Sequence, residues 1–221
     1  MGEEAPLSLP ARLKKLLGRI RRGFTIDTFD VFTRAVPAEL CCEPPAGYVF
    51  AWGTTADVER CDPRHTDLDP RERREGALRL GLGHRVVIAF HRGEPVFSMW
   101  VNPRNLNVPG LVKRRLAAHQ WFIYKAFTSP EHRGRKLYET GMLFVLAEMA
   151  TLGLKELVGY AHVKKTVSRK GLAALEFGSA GRVTQIDWPF FATVRVSREL
   201  AARFPRSVPR TEESATEVRP A

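Results

Sequence analysis

Cysteine is scarce in this chain. Cys41, Cys42 and Cys61 are the only three, with no C-x-x-C spacing and no histidine pair at ligand distance. That argues against a structural zinc site or a disulfide framework, so no metal is expected and a reducing, cytoplasmic setting is. Long apolar runs are missing too: none reaches the roughly 20 residues that cross a bilayer. The apolar stretch Leu13 to Ile20 is broken by Lys14, Lys15 and Arg19, unlike a secretory signal. Internal repeats are absent. Acidic residues are outnumbered, 24 against 35 Lys and Arg, for a formal charge of +11 and a pI near 10.1. Such a balance favours an anionic partner: a phosphate-bearing ligand, a membrane surface or nucleic acid.

Acid is missing most completely near the start. Leu9, Leu13, Leu16, Leu17, Ile20 and Phe24 fall on one helical face, and Arg12, Lys14, Lys15, Arg19, Arg21 and Arg22 cover the rest. The pattern predicts a basic amphipathic helix over 1–24, able to lie in an anionic membrane interface or to pack on the domain. A peripheral place at the inner face of a membrane follows from the first option. Pro, Glu, Ser and Thr dominate from Pro205 onward, predicting a disordered tail over 205–221. One domain is expected between, over 25–204.

What the chain does have is 221 residues with 44% hydrophobic content, enough for a substantial core. Short β-type runs at Phe29 to Phe32 and Tyr48 to Trp52 precede a polar, Pro-punctuated stretch, Asp57 to Arg74, read as a loop. A helix is expected over 70–80, then a hairpin from Arg85 to Phe90 and Pro95 to Val101, and a loop from Asn102 to Arg115. An apolar run from Trp121 to Phe127 reads as a buried strand. Leu137 to Leu152 reads as a helix closed by Gly153, Leu157 to Val163 as a strand and Ser168 to Phe177 as a short helix. Val183 to Ile186 and Phe190 to Val196 complete the sheet. An antiparallel start feeding a β-α-β unit predicts a mixed α/β sheet with helices on both faces.

Between the central strand and the central helix stands Thr128-Ser129-Pro130-Glu131-His132-Arg133-Gly134-Arg135-Lys136-Leu137-Tyr138. A tight basic turn opening a helix leaves backbone N–H groups unsatisfied at the positive end of the helix dipole, a ready site for a diphosphate.

These residues resemble the fingerprint of the GNAT-superfamily acyltransferases, strand, then T-x-P-E-[HY]-R-G-[RK]-G-[LI]-[YG], then helix. The hairpin ending in Ser98-Met99-Trp100 is similar to that family's second and third strands. Val163 to Phe177 resembles its later segment, with Ser168 and Phe177 matching. Among relatives, the chain looks most like bacterial members associated with polysaccharide or lipid-linked envelope biosynthesis. The resemblance covers roughly half of the chain, from about Arg71 to Ile186. It implies a GNAT-like, mostly antiparallel central sheet with a splayed β-α-β site for acetyl-CoA or another acyl-CoA. The pantetheine arm would lie along Ala126, Phe127 and Thr128, and the diphosphate on Arg133, Gly134, Arg135, Lys136, Leu137 and Tyr138, with Ser168 nearby. The activity implied is transfer of an acetyl or other acyl group to an amine of a small molecule or envelope precursor.

The chain departs from the family at telling places. Lys136 and Tyr138 stand where relatives have small residues, Lys165 where they usually have Asn, and Leu172 near a Tyr that protonates the leaving thiolate. No carboxylate lies between His119 and Thr128. Candidate proton carriers are therefore His119, Tyr124, Tyr160 and His162, on or beside the two central strands. A GNAT-like protein that binds acyl-CoA or another anion without turnover is the alternative. A nucleic-acid partner is disfavoured, because the cations are scattered and no motif interleaves them with stacking aromatics.

Overall fold

The computed structural model describes residues 24–38, 40, 42–60, 70–111, 114–188 and 191–205. The amphipathic segment expected over 1–24 (all but Phe24) and the tail expected over 205–221 (all but Pro205) lie outside the described residues.

Ten strands and five α-helices are described. In chain order they are β1 (Thr25–Ala35), β2 (Tyr48–Trp52), α1 (Thr55–Arg60), α2 (Pro70–Gly81), β3 (Arg85–His91) and β4 (Glu94–Asn102). There follow β5 (Asn105–Leu106), β6 (Arg114–Arg115), β7 (Gln120–Thr128), α3 (Leu137–Thr151), β8 (Glu156–His162), α4 (Thr166–Ala174), β9 (Gly178–Asp187), β10 (Ala192–Val196) and α5 (Arg198–Arg203). Eight strands form one sheet in the order β10-β9-β1-β8-β7-β4-β3-β2. Every neighbouring pair is antiparallel except β7–β8, which is parallel because α3 carries the chain back between them. This is the expected mixed, mostly antiparallel α/β sheet.

The two faces of the sheet hold separate cores. Trp121, Ile123, Leu157 and Ala161 alternate onto one face, where Leu137, Met142, Val145, Leu146 and Met149 of α3 and Leu172 of α4 cover them. Phe29, Val31, Phe122 and Val158 point the other way, against Leu200 and Phe204. Farther along that side, Val58 of α1 joins Val86, Ile88 and Trp100. Helix α3 is apolar nearly all round and lies close on the sheet. A Cβ on Gly141 would sit 2.6 Å from Phe97 Cε1. The helix ends with Gly153 at φ +69° and the Leu154 amide donating to Met149 O at 2.9 Å, so the chain reverses into β8.

The structure differs from the sequence expectation in three connections. Asp57 to Arg74 is not simply a loop: Thr55–Arg60 is helical, nucleated by a capping box. The Asp57 amide donates to Thr54 Oγ1 at 3.2 Å, and Asp57 Oδ2 accepts from the Thr54 amide at 2.9 Å. The stretch Asn102 to Arg115 carries the two-residue ribbon β5–β6. Helix α5, absent from the sequence reading, starts at Ser197, whose hydroxyl accepts from the Leu200 amide at 3.4 Å. Its other end is held by Arg114, 6% exposed, which donates to Phe204 O at 2.6 Å. That long-range arginine cap leaves no local signal in the sequence.

Candidate functional site

Strands β7 and β8 pair only at Gln120–Glu156, Trp121–Leu157 and Phe122–Val158. Beyond that point the sheet opens, and the remaining residues of both strands turn unpaired edges toward the gap. On its other side β7 stays joined to β4, but the register shifts between Ser98 and Trp100, and Lys125 takes φ +48°. This bulge bends β7 away from β8. It also corrects the reading of Trp121 to Phe127 as uniformly buried: the strand is buried through Ile123, whereas Lys125 and Ala126 are exposed.

A cavity of about 980 Å³ fills the opening. Ile123, Ala161, Leu137, Tyr138, Met142 and Leu172 line it on the α3 side of the sheet, while Phe29, Trp100, Tyr124 and Tyr160 line it on the other. Successive residues of one strand point to opposite faces, so the cavity passes through the sheet. Two molecules can meet in it, one from each face.

At the α3 end the chain makes a 3₁₀ turn, Pro130–His132, and then enters the helix through two left-handed residues, Gly134 at φ +75° and Lys136 at φ +58°. The first paired amides are those of Arg133, which donates to Pro130 O at 3.3 Å, and Thr140, which donates to Lys136 O at 2.9 Å. From Gly134 to Glu139 no amide has a backbone acceptor among the described residues. These donors, at the start of a 15-residue helix, are suited to an anion with several oxygens. Lys125, Arg133, Lys136 and Lys165 also line the cavity, against one carboxylate among the described residues, that of Glu139.

Lysine at 136 therefore keeps the backbone shape that glycine would take there, at the cost of a left-handed Cβ. Lys136→Gly is expected to raise stability by about 0.5–1 kcal/mol, once the extra freedom of glycine in the unfolded chain is set against the relieved strain. The shift of a urea unfolding midpoint measures it.

Most of the residues singled out in the sequence converge here. Ala126, Phe127, Thr128, Arg133, Gly134, Lys136, Leu137, Tyr138 and Ser168 line the cavity, as do Tyr124, Tyr160 and His162. Two do not. Arg135 points to solvent, because the left-handed turn sends its side chain outward. His119 sits at the closed end of the strands, where its carbonyl accepts from the Lys155 and Glu156 amides at 2.9 and 3.2 Å. A residue before the first β7–β8 pair cannot reach an opening that begins after the third.

The proton-bearing groups have different surroundings. The Lys164 amide donates to His162 Nδ1 at 3.0 Å, so the ring proton sits on Nε2, which donates to Asp27 Oδ1 at 3.1 Å. Both ring nitrogens are thereby engaged. The Tyr124 hydroxyl is joined to His84 Nδ1 at 2.6 Å. His84, which the sequence reading passed over, is held below the usual histidine range first by burial and then by Arg79 and Arg104. Tyr160 stacks on Phe122 at 5.7 Å and meets the Phe29 ring edge at 5.8 Å. Burial pushes its phenol up, and burial does the same more strongly for Tyr138. Tyr138 packs toward Gly171, where a Cβ would lie 3.3 Å from its ring. Leu172, 1% exposed, presents no hydroxyl to the cavity.

No protein-family model matches the chain, and no curated protein matches it. Solved structures share its fold. A GCN5-related N-acetyltransferase from Sphaerobacter thermophilus superposes with a TM-score of 0.50 at 13% identity, covering 78% of this chain and 55% of that one. A functionally unknown conserved protein from Staphylococcus epidermidis gives 0.51 at 9% identity, over 84% and 69% of the two chains. A protein of Drosophila melanogaster gives 0.52 at 14%, over 83% and 59%. The chain thus spans between about half and two thirds of the length of these structures. At such identities the likeness is one of fold.

Proposed function

We propose that the protein is an acyl-CoA-dependent N-acyltransferase that moves an acetyl or longer acyl group to an amine of a small-molecule or envelope-precursor acceptor. The observation that carries this reading is the opening of the sheet after Phe122 and Val158, beside the unpartnered amides of Gly134 to Glu139. An extended thioester arm can pair with the free edge of β7 at Ala126 to Thr128 while its diphosphate takes the amides and the charge of Arg133 and Lys136. Cations and oriented amides need little rearrangement to receive that charge. The acceptor enters from the opposite face, between Phe29, Trp100, Tyr124 and Tyr160.

In the transfer, the neutral amine attacks the thioester carbonyl carbon, a C–N bond forms and the C–S bond then breaks. The nitrogen gives up a proton and the departing sulfur takes one. Holding the two reactants in one through-sheet cavity lowers the barrier chiefly by fixing their approach. Among the described residues Glu139 is the only carboxylate lining the cavity, and it lies at the phosphate end, so no carboxylate base is assigned. Tyr160, at the gap and protonated at neutral pH, is the proton donor to sulfur.

Leu172 favours a second reading, a protein that binds acyl-CoA without turning it over. Calorimetric titration with CoA, acetyl-CoA and longer acyl-CoAs, followed by mass spectrometry of candidate amines, separates the two. The transferase reading expects acyl-CoA binding and a mass gain of one acyl group on an amine. Binding with no acylated amine leaves the second reading, and no binding removes both.

A further inference from the structure

The β9–β10 hairpin and the start of β1 carry an aromatic surface for which the proposed reaction has no use. Phe24, Ile26, Trp188 and Phe191 are 52, 47, 44 and 56% exposed. Large apolar side chains seldom cluster in water without a partner. These are also ordered against one another. The Trp188 ring lies 5.3 Å from Phe24, edge-on, and stacks on Phe191 at 6.1 Å and 11°. The Trp188 amide donates to Phe191 O at 2.8 Å, closing the hairpin end.

The surface lies at the open end of the sheet. Thr25 and Ala192 both pair with Asp187, which brings the start of β1, the end of β9 and the start of β10 to one level. Three residues on from Ile26, Phe29 pairs with His162, and both line the cavity. Pro109 lines it too, and the adjoining Gly110 abuts Gln185 of β9.

Charge indicates what covers the surface. The chain reaches Phe24 through Arg12, Lys14, Lys15, Arg19, Arg21 and Arg22, with no acid between Leu9 and Phe24. Arg195 on β10 and Lys164 just after β8 add exposed cations at the same end. The two nearby carboxylates have internal partners: Asp187 accepts from Gln185 Nε2 at 2.7 Å and Asp27 from His162. An apolar aromatic patch, Trp included, with exposed cations at its end of the sheet and a basic run before it in sequence matches an anionic lipid interface, where rings sit among headgroups and each cation gains from the surface potential.

We infer that Phe24, Ile26, Trp188 and Phe191 seat the protein on an anionic lipid surface, with the mouth of the cavity beside the bilayer. The inference stands apart from the transferase reading, since it requires no turnover. It is tested with the full-length protein, by co-sedimentation with phosphatidylcholine vesicles with and without phosphatidylglycerol, at low and high salt. The parent should bind the phosphatidylglycerol vesicles, bind less in high salt, and bind poorly to phosphatidylcholine alone. Trp188→Ser/Phe191→Ser should weaken binding about tenfold or more, because two aromatic side chains no longer enter the interface, with the melting temperature held. Trp188→Phe should retain binding but lose most of the blue shift of tryptophan emission that vesicles induce. Equal binding by parent and double variant would overturn the inference. So would a parent that ignores vesicles, whether the double variant then melts lower (the surface is covered by residues 9–23) or converts a dimer to a monomer (it is covered by a second copy).

Discussion

Gly134→Val is expected to weaken CoA binding at least about tenfold. Gly134 sits at φ +75° with nothing within 4 Å of where its Cβ would be, so the substitution meets no neighbour. The effect comes from the backbone. A β-branched residue in the left-handed region costs roughly 1–2 kcal/mol, and the turn sheds that cost by rotating to negative φ. Rotation swings the amides that follow away from their common direction, and a diphosphate then loses several donors together. About 1.4 kcal/mol per decade of affinity sets the scale. Gly134→Asn is the control, since asparagine tolerates the left-handed region and should retain most of the affinity. Arg133→Glu acts at the same place by charge: it removes a cation that donates from Nε to Thr128 O at 3.2 Å and sets a carboxylate at the positive end of α3. Its effect should shrink in high salt, whereas that of Gly134→Val should not. Calorimetric titration with CoA reads all three. Parent-like binding by both Gly134→Val and Arg133→Glu would place the diphosphate elsewhere.

The fold was legible where local signals and long-range packing agree. Apolar runs of strand length around His91-Arg92-Gly93-Glu94 marked β3 and β4, and the nearly uncharged stretch Leu137 to Leu152 marked α3, because both elements are buried on more than one side. The fingerprint marked the turn whose amides lack backbone acceptors for the same reason, since a turn that opens a helix is written in consecutive residues. The opening of the sheet was a different matter. It depends on the bulge at Lys125, a non-glycine residue at positive φ, and on parallel pairing that stops after three registers. Neither is visible in a strand read by itself. His84 escaped notice because its value as a partner arises only when Tyr124, 40 residues later, is brought to it. His119 was overrated for the converse reason: adjacency in sequence to a functional strand says nothing about which end of that strand opens.

The second large effect is expected from Tyr160→Phe, which should lower kcat about 100-fold while leaving CoA affinity within about twofold, as loss of a general acid would. Three tyrosines, Tyr124, Tyr138 and Tyr160, and His162 are among the groups lining the cavity that could carry a proton, and their surroundings rank them. Tyr124 is committed to His84, and His162 has its two nitrogens taken by the Lys164 amide and Asp27. Tyr138 is the second residue of α3, among the unpartnered amides, so it belongs to the phosphate end. Tyr160 instead stands two residues past the last β7–β8 pair, its ring fixed by Phe122 and Phe29. It would supply from the strand the hydroxyl that Leu172 does not supply from α4. Burial raises its pKa above the ordinary value near 10. A general acid works only while protonated, so activity should be retained below that raised pKa and lost only above it. The pH–kcat profile of the parent should therefore rise as the acceptor amine loses its proton and show no descending limb through about pH 9. Tyr160→Phe should keep the rising limb at the lower kcat, since the amine is unchanged. Parent-like turnover by Tyr160→Phe, together with a collapse in Tyr138→Phe at unchanged CoA affinity, would move the donor to the α3 side of the sheet.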